Sequence, residues 1–261
     1  MLVLTDMGLI TDIRLDLTTR CNLRCAYCAV SQPDYVGEDM PDSVVQAAIA
    51  HVGRLARYHE LSGIGVNGHG ETTFILGWAK SCSAIVRLGL PVDIITNLAK
   101  RYTMAEIGIL ASMMTISISI DTVDPDLLRR IRRKVRIDRI VDNIKAVQTA
   151  ASLANRRAPK LQFFCGLFDK NAEAIEALAG LAITLGIQKI VFWNLNPQSY
   201  DDMDIPVADR VHPLGSLDDG KLRDSLLAVE RATTALEKAG IEVQYDGPFI
   251  ADLRRRVGLD A

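Results

Sequence analysis

Cysteine, histidine and aromatic residues are scarce in this chain of 261 residues, which has five cysteines, four histidines and 5% aromatics. So odd and small a cysteine count in a chain of this length excludes a disulfide framework. A structural zinc site wants a fourth ligand, usually from a second Cys-x-x-Cys or His-x-x-x-His pair. No such pair exists, and His51, His59, His69 and His212 stand alone. Basic residues are in no excess: 30 lysines and arginines face 32 acids, for a net charge of −2. A nucleic-acid partner is therefore not expected, although the stretch 128–139 (LRRIRRKVRIDR) is locally cationic. The opening MLVLTDMGLITD is too short and too acidic for a secretory signal, and no apolar run is long enough to cross a bilayer. The expectation is a protein of the reducing cytoplasm with no membrane partner.

What cysteine there is sits together. Cys21, Cys25 and Cys28 place three of the five within eight residues, as Cys-x-x-x-Cys-x-x-Cys. Thiolates suit soft and borderline metals, and three on one loop can converge on one site. A cubane cluster has four irons, so three cysteines leave one iron open to an outside ligand; an electron-transfer ferredoxin supplies a fourth cysteine. Arg24 lies among the ligands, where a cation offsets charge on sulfide and thiolate. One [4Fe–4S] cluster is expected, because Cys82 and Cys165 lie too far apart to hold a second.

Elsewhere, runs rich in Ile and Val alternate with amphipathic segments, the pattern of repeated βα units. Strands are expected at 13–17, 63–66, 92–96, 114–121, 161–167 and 190–195, with a short final one at 241–245. Asp42 or Ser43 would cap the first helix and Asn171 a later one. In 114–121 (MTISISID), the period of two puts Ile116, Ile118 and Ile120 on one face and Thr115, Ser117, Ser119 and Asp121 on the other. Parallel strands covered on both sides read as continuous apolar runs, so this polar face must meet water or a ligand. The fold class is α/β, an open partial (β/α)6 barrel. It is read as one domain over 1–261, with a core at about 10–200 and a loop, helix and short strand at about 201–261. Functional groups would then sit at the C-terminal strand ends.

Tyr27 immediately precedes the last clustered cysteine, and Gly68-His69-Gly70-Glu71, Thr96-Asn97, Ser119-Ile120-Asp121 and Ile131-Arg132-Arg133 follow in that order. This set resembles the radical SAM (S-adenosylmethionine) superfamily over about residues 10–200. The resemblance implies that the open iron chelates S-adenosylmethionine. One electron, from a donor such as flavodoxin or ferredoxin, would then release a 5′-deoxyadenosyl radical. It implies cofactor contacts from Tyr27, Gly68, His69, Gly70, Glu71, Asn97, Ser117, Ser119, Arg132 and Asn196. Gly68 to Glu71 match a Gly-Gly-Glu motif whose backbone meets the methionyl amine, with His69 where the first family glycine is expected. His69 either faces substrate or hydrogen-bonds its own loop. Ser119 matches a residue near the cofactor carboxylate or ribose. Arg132 matches an arginine that forks onto that carboxylate, a geometry lysine would not reproduce.

On this reading the chain is a minimal, stand-alone core that abstracts a hydrogen atom from a small polar metabolite. A sugar, aminocyclitol or nucleoside would suit, and epimerisation or another redox-neutral rearrangement fits a chain without an auxiliary cluster. An epimerase must quench the substrate radical from the opposite face, and a thiol can donate that hydrogen atom. Cys165 is the candidate if it faces the barrel interior. Radical modification of a peptide with a partner's help, and an iron–sulfur sensor without radical chemistry, are the competing readings.

Overall fold

The computed structural model describes residues 10–195 and 205–259. Its frame is a seven-stranded sheet whose strands lie in chain order: β1 (Asp12–Arg14), β2 (Gly63–Gly65), β3 (Val92–Thr96), β4 (Thr115–Ser119), β5 (Lys160–Leu167), β6 (Lys189–Asn194) and β7 (Glu242–Tyr245). Every pairing is parallel. A parallel return needs a crossover, and helices supply it. They are α1 (Asp42–Leu55), α2 (Trp78–Val86), α3 (Met104–Leu110), α4 (Pro125–Arg132), α5 (Ile137–Leu153), α6 (Ile175–Leu185) and α7 (Asp219–Lys238). β1 and β7 form the two edges, so the barrel stays open. The residues expected at 241–245 join this sheet as its seventh strand, extending the six-stranded expectation. One helix was not expected, α8 (Phe249–Arg256).

The alternation in β4 decides which side carries the core. Ile116, Ile118 and Ile120 are fully buried in one apolar cluster with Ile140, Ile144 and Val147 of α5. Leu161, Phe163, Cys165 and Leu167 of β5, and Ile190 and Phe192 of β6, belong to the same cluster with α6 residues such as Leu178 and Ala182. In parallel register the opposite parity aligns Ser117 with Gln162, Ser119 with Phe164, and Gly166 with Trp193. That inner face is polar and aromatic.

Two expected helix caps are not used. Helix α1 begins at Asp42 itself, after Pro41, with no side-chain cap. Asn171 does not cap its helix either; its Oδ1 accepts from the Phe168 backbone N–H at 2.9 Å, and its Nδ2 donates to the carbonyls of Asp121 (2.8 Å) and Gly166 (2.7 Å). Burial turns a local capping residue into a brace between strand ends. α3, by contrast, carries a full capping box between Thr103 and Glu106.

Candidate active site

The loop after β1 places Cys21, Cys25 and Cys28 around one cavity. Its other walls include Gly68, His69, Gly70 and Glu71 after β2, Ile95, Thr96 and Asn97 at the end of β3, and Ser119 of β4. Arg132 of α4 and Trp193 of β6 complete it. All come from C-terminal strand ends or the segments that follow them. Residues predicted from separate motifs thus converge on one place.

The cysteine loop is braced from several directions. Its Ala26 N–H donates to the Ile131 carbonyl at 2.7 Å, and the Cys25 sulfur lies 3.9 Å from the Arg132 carbonyl. α4 ends there because Arg133 and Lys134 take positive φ values, 44° and 58°, which break the helix. Cys25 is buried, while Cys21 and Cys28 are half-buried. Burial pushes the Cys21 thiol up to about 11, and the Cys25 thiol up to about 12 although Arg132 pulls the latter down. Metal binding must therefore displace protons from these thiols. No three histidine, cysteine or acidic side chains among the described residues converge as the shell of a single ion. A cubane needs no such shell, since each cysteine holds a different iron and the sulfurs stand apart. The thiol set fits a [4Fe–4S] cluster.

The glycines explain themselves sterically. A Cβ on Gly70 would lie 2.4 Å from the backbone oxygens of Thr18 and Arg20, and one on Gly68 would lie 1.8 Å from the Asp16 carboxylate. The close approach they permit is to the cysteine loop's own root. Glu71 closes the same corner. Its Oε1 accepts from the hydroxyls of Thr73 and Thr96, both at 2.7 Å, and its Oε2 accepts from the Asn97 N–H at 2.7 Å. His69 is exposed and hydrogen-bonds Asp16 through its backbone N–H at 3.1 Å, with Nδ1 at 3.4 Å from the same oxygen. Its local partner favours the loop role over a substrate contact.

Asn97 donates to Asn22 Oδ1 at 2.8 Å, beside Cys21, and is followed by Leu98 at φ 48°. That unusual backbone is held by Asn143, whose Nδ2 donates to the Leu98 carbonyl at 2.9 Å. Ser119 lines the cavity. Ser117 lies one turn of the pleat deeper, accepting from Gln162 Nε2 at 2.5 Å, and is not among the cavity's lining residues. Asn194 is exposed at the strand end, and Asn196 lies outside the described residues, as do Asp201, Asp202 and Asp204.

Cys165 does not face the interior. It is fully buried in the layer between sheet and helices, and burial pushes its thiol well above the usual range. The period of two that sets Ser119 and Trp193 toward the cavity turns Cys165 away. Its assignment as a hydrogen-atom donor is therefore incorrect. Cys82 is likewise buried within α2.

Asp121, the last residue of the Ser119-Ile120-Asp121 motif, has a role that the sequence did not assign. Its side chain is fully buried, and Oδ2 accepts from the Tyr27 hydroxyl at 2.6 Å and from Arg132 Nε at 2.7 Å. Burial opposes ionisation of Arg132, but Asp121 outweighs it and holds the guanidinium charged. Tyr27 stays a phenol, its pKa raised first by burial. Its ring meets Trp193 edge-on at 6.4 Å, and Trp193 stacks with Phe164 at 6.3 Å.

Three convergent cysteines at the mouth of an open parallel α/β barrel, with polar groups at the strand ends, define a cluster-dependent S-adenosylmethionine enzyme. The model of the radical SAM superfamily matches residues 15–182, and the chain belongs to that superfamily. The family binds a [4Fe–4S] cluster and S-adenosylmethionine, and Cys21, Cys25 and Cys28 line the cavity of this chain together. Among curated relatives, GTP 3′,8-cyclase 1 of Pseudomonas aeruginosa is 29% identical over 182 residues, covering 67% of this chain and 51% of that protein. GTP 3′,8-cyclase of Marinobacter nauticus is 30% identical over 144 residues, covering 53% of this chain and 41% of that protein. The chain thus spans about half the length of the curated relatives it matches. Among solved structures, Streptococcus suis SuiB bound to S-adenosylmethionine superposes with a TM-score of 0.70 at 17% identity, covering 95% of this chain and 53% of that one. Native anSMEcpe with bound AdoMet gives 0.65 at 12%, covering 90% and 63%. At such identities the likeness is one of fold.

Proposed function

We propose that this enzyme abstracts a hydrogen atom from a small polar metabolite with a ring, of the sugar, aminocyclitol or nucleoside kind, and completes a redox-neutral rearrangement. The carrying observation is that Ser119 and Trp193, whose ring stacks with Phe164, line the cavity beside the three cysteines. An aromatic wall receives the apolar face of a sugar or base, and the Ser119 hydroxyl addresses its polar edge. When bound, the cluster and S-adenosylmethionine supply the one-electron chemistry. The chain's part is to hold them: Cys21, Cys25 and Cys28 as ligands, and Asn97, Ser119 and Arg132 as polar groups on the cofactor's side of the cavity. The curated relatives named above are GTP cyclases. Here, among the described residues, Arg132 is the one full cation lining the cavity, and its pairing with Asp121 favours a substrate of lower charge than a triphosphate. The electron would come from a flavodoxin- or ferredoxin-type carrier. With Cys165 turned away, any quenching hydrogen atom comes from a group other than this thiol.

The test is anaerobic. Reconstituted, reduced protein is incubated with S-adenosylmethionine and panels of sugars, aminocyclitols, nucleosides and peptides. The reading expects 5′-deoxyadenosine, formed faster with one of the first three classes, and deuterium transferred to it from the labelled substrate. No 5′-deoxyadenosine at all, or stimulation by peptides alone, would overturn it.

A further inference from the structure

The geometry points to Asp121 as a positioning residue for the cofactor, the hub that fixes the cysteine loop against Arg132 and the end of β5. One carboxylate joins three separate segments. Oδ2 takes Tyr27 from the cysteine loop and Arg132 from α4, while Oδ1 accepts the Gly166 N–H of β5 at 3.0 Å. Its own carbonyl accepts from Asn171 at 2.8 Å, so the hub is itself held from behind.

A purely structural account explains this poorly. Burying an ion pair generally adds little stability over apolar packing of the same volume, so its worth lies in what it orients. Here the orientation is specific. Asp121 engages Arg132 through Nε, and among the described residues the two terminal nitrogens have no hydrogen-bond partner and are not buried orphans. Arg132 lines the cavity that holds the three cysteines, so these nitrogens form the fork presented to an anionic ligand group. The same carboxylate oxygen holds Tyr27, the residue immediately before Cys28 in the motif. Loop and fork are thereby set at one fixed separation. The inference concerns the cofactor side and holds for any substrate.

Asp121→Asn in the full chain, reconstituted anaerobically, tests it. The isosteric amide keeps the volume and removes the charge that offsets Arg132 beside Cys25. The reduced cluster carries one more electron, so an uncompensated cation stabilises it and the midpoint potential should move upward. S-adenosylmethionine affinity, measured by equilibrium binding, should fall at least tenfold while cluster absorbance persists. A midpoint and affinity equal to those of the native protein would overturn the assignment. Should Asp121→Asn fail to fold, Tyr27→Phe decides, since it removes one hydroxyl only. It should weaken cofactor binding severalfold and alter the change that cofactor makes in the electron paramagnetic resonance signal of the reduced cluster. Native affinity and native signal in Tyr27→Phe would refute the hub.

Discussion

Glu71 accepts the Thr96 hydroxyl at 2.7 Å, and through that bond the turn after β2 is tied to the end of β3. The same carboxylate takes the Asn97 N–H, so it sets the edge of the cavity from within the protein. Glu71→Gln places amide donors against groups that already donate. Leaving such buried groups unsatisfied costs about 1–3 kcal/mol, which should appear in urea melts of the metal-free protein. Cofactor affinity should fall with it. Thr96→Val deletes that donor and also the acceptor of the Leu98 N–H at 3.1 Å, and should cost about 1–3 kcal/mol.

Cluster content separates the five cysteines. Single alanine substitutions at Cys21, Cys25 or Cys28 should abolish cluster absorbance and cofactor cleavage together. Iron and sulfide in the native protein should each approach about four per chain. Cys82→Ala and Cys165→Ala should keep both properties, at about 1 kcal/mol of stability each for a small buried vacancy. Loss of cofactor cleavage in Cys165→Ala with a native cluster would contradict its place behind the sheet.

Gly70→Ala should be more damaging than its size suggests. The added methyl meets two backbone oxygens at 2.4 Å, and neither belongs to a flexible side chain that can swing away. The turn or the cysteine loop must move. Expected results are a lower melting temperature and poor cluster loading, whereas native loading would show that the corner yields easily.

Ser119→Ala and Arg132→Ala should leave cluster content intact and weaken cofactor binding. One charge-assisted contact is worth about 1.5–3 kcal/mol, or roughly one to two orders of magnitude in affinity. Anaerobic equilibrium binding reads this directly, and native affinity in both variants would remove them from the cofactor site.

Acid sensitivity should centre on Glu106. Burial opposes its ionisation, but Lys100, the Thr103 N–H and the Trp78 indole outweigh this and hold its carboxyl down at about 2. A carboxyl lowered on folding stabilises above its ordinary value of 4.5, and that contribution disappears as pH falls toward about 2. Glu106→Gln should therefore be less stable than native at neutral pH, with the gap narrowing across that window. A pH-independent gap in denaturant melts would show that the charge is not what matters.

Much of this was legible in short stretches. The alternation of Ser117, Ile118 and Ser119 announced a wet face, and the cysteine spacing announced the cluster. Parity in β5 separated Cys165 from Phe164 but could not say which of them faced inward. That depended on register with β4, where Phe164 aligns with Ser119. Asp121 was visible as the last residue of a motif, yet its role required Tyr27, 94 positions away. Asn171 looked like a cap because its sequence neighbours are helical, whereas its partners are strand-end carbonyls. Local patterns show in sequence; long-range polar partners do not.

The strand order has a consequence for biosynthesis. Because each strand pairs with its predecessor in the chain, the sheet can grow as the polypeptide leaves the ribosome, one βα unit at a time. The three thiols emerge with the first unit, long before β4 and α4 bring Asp121 and Arg132 to brace them. During that interval they are bare nucleophiles on an unfinished sheet, open to oxidation and stray metal. Metal loading that waits for α4 meets a formed receptacle, so nascent chains halted before that helix should take up iron poorly, and those halted after it should take up iron well.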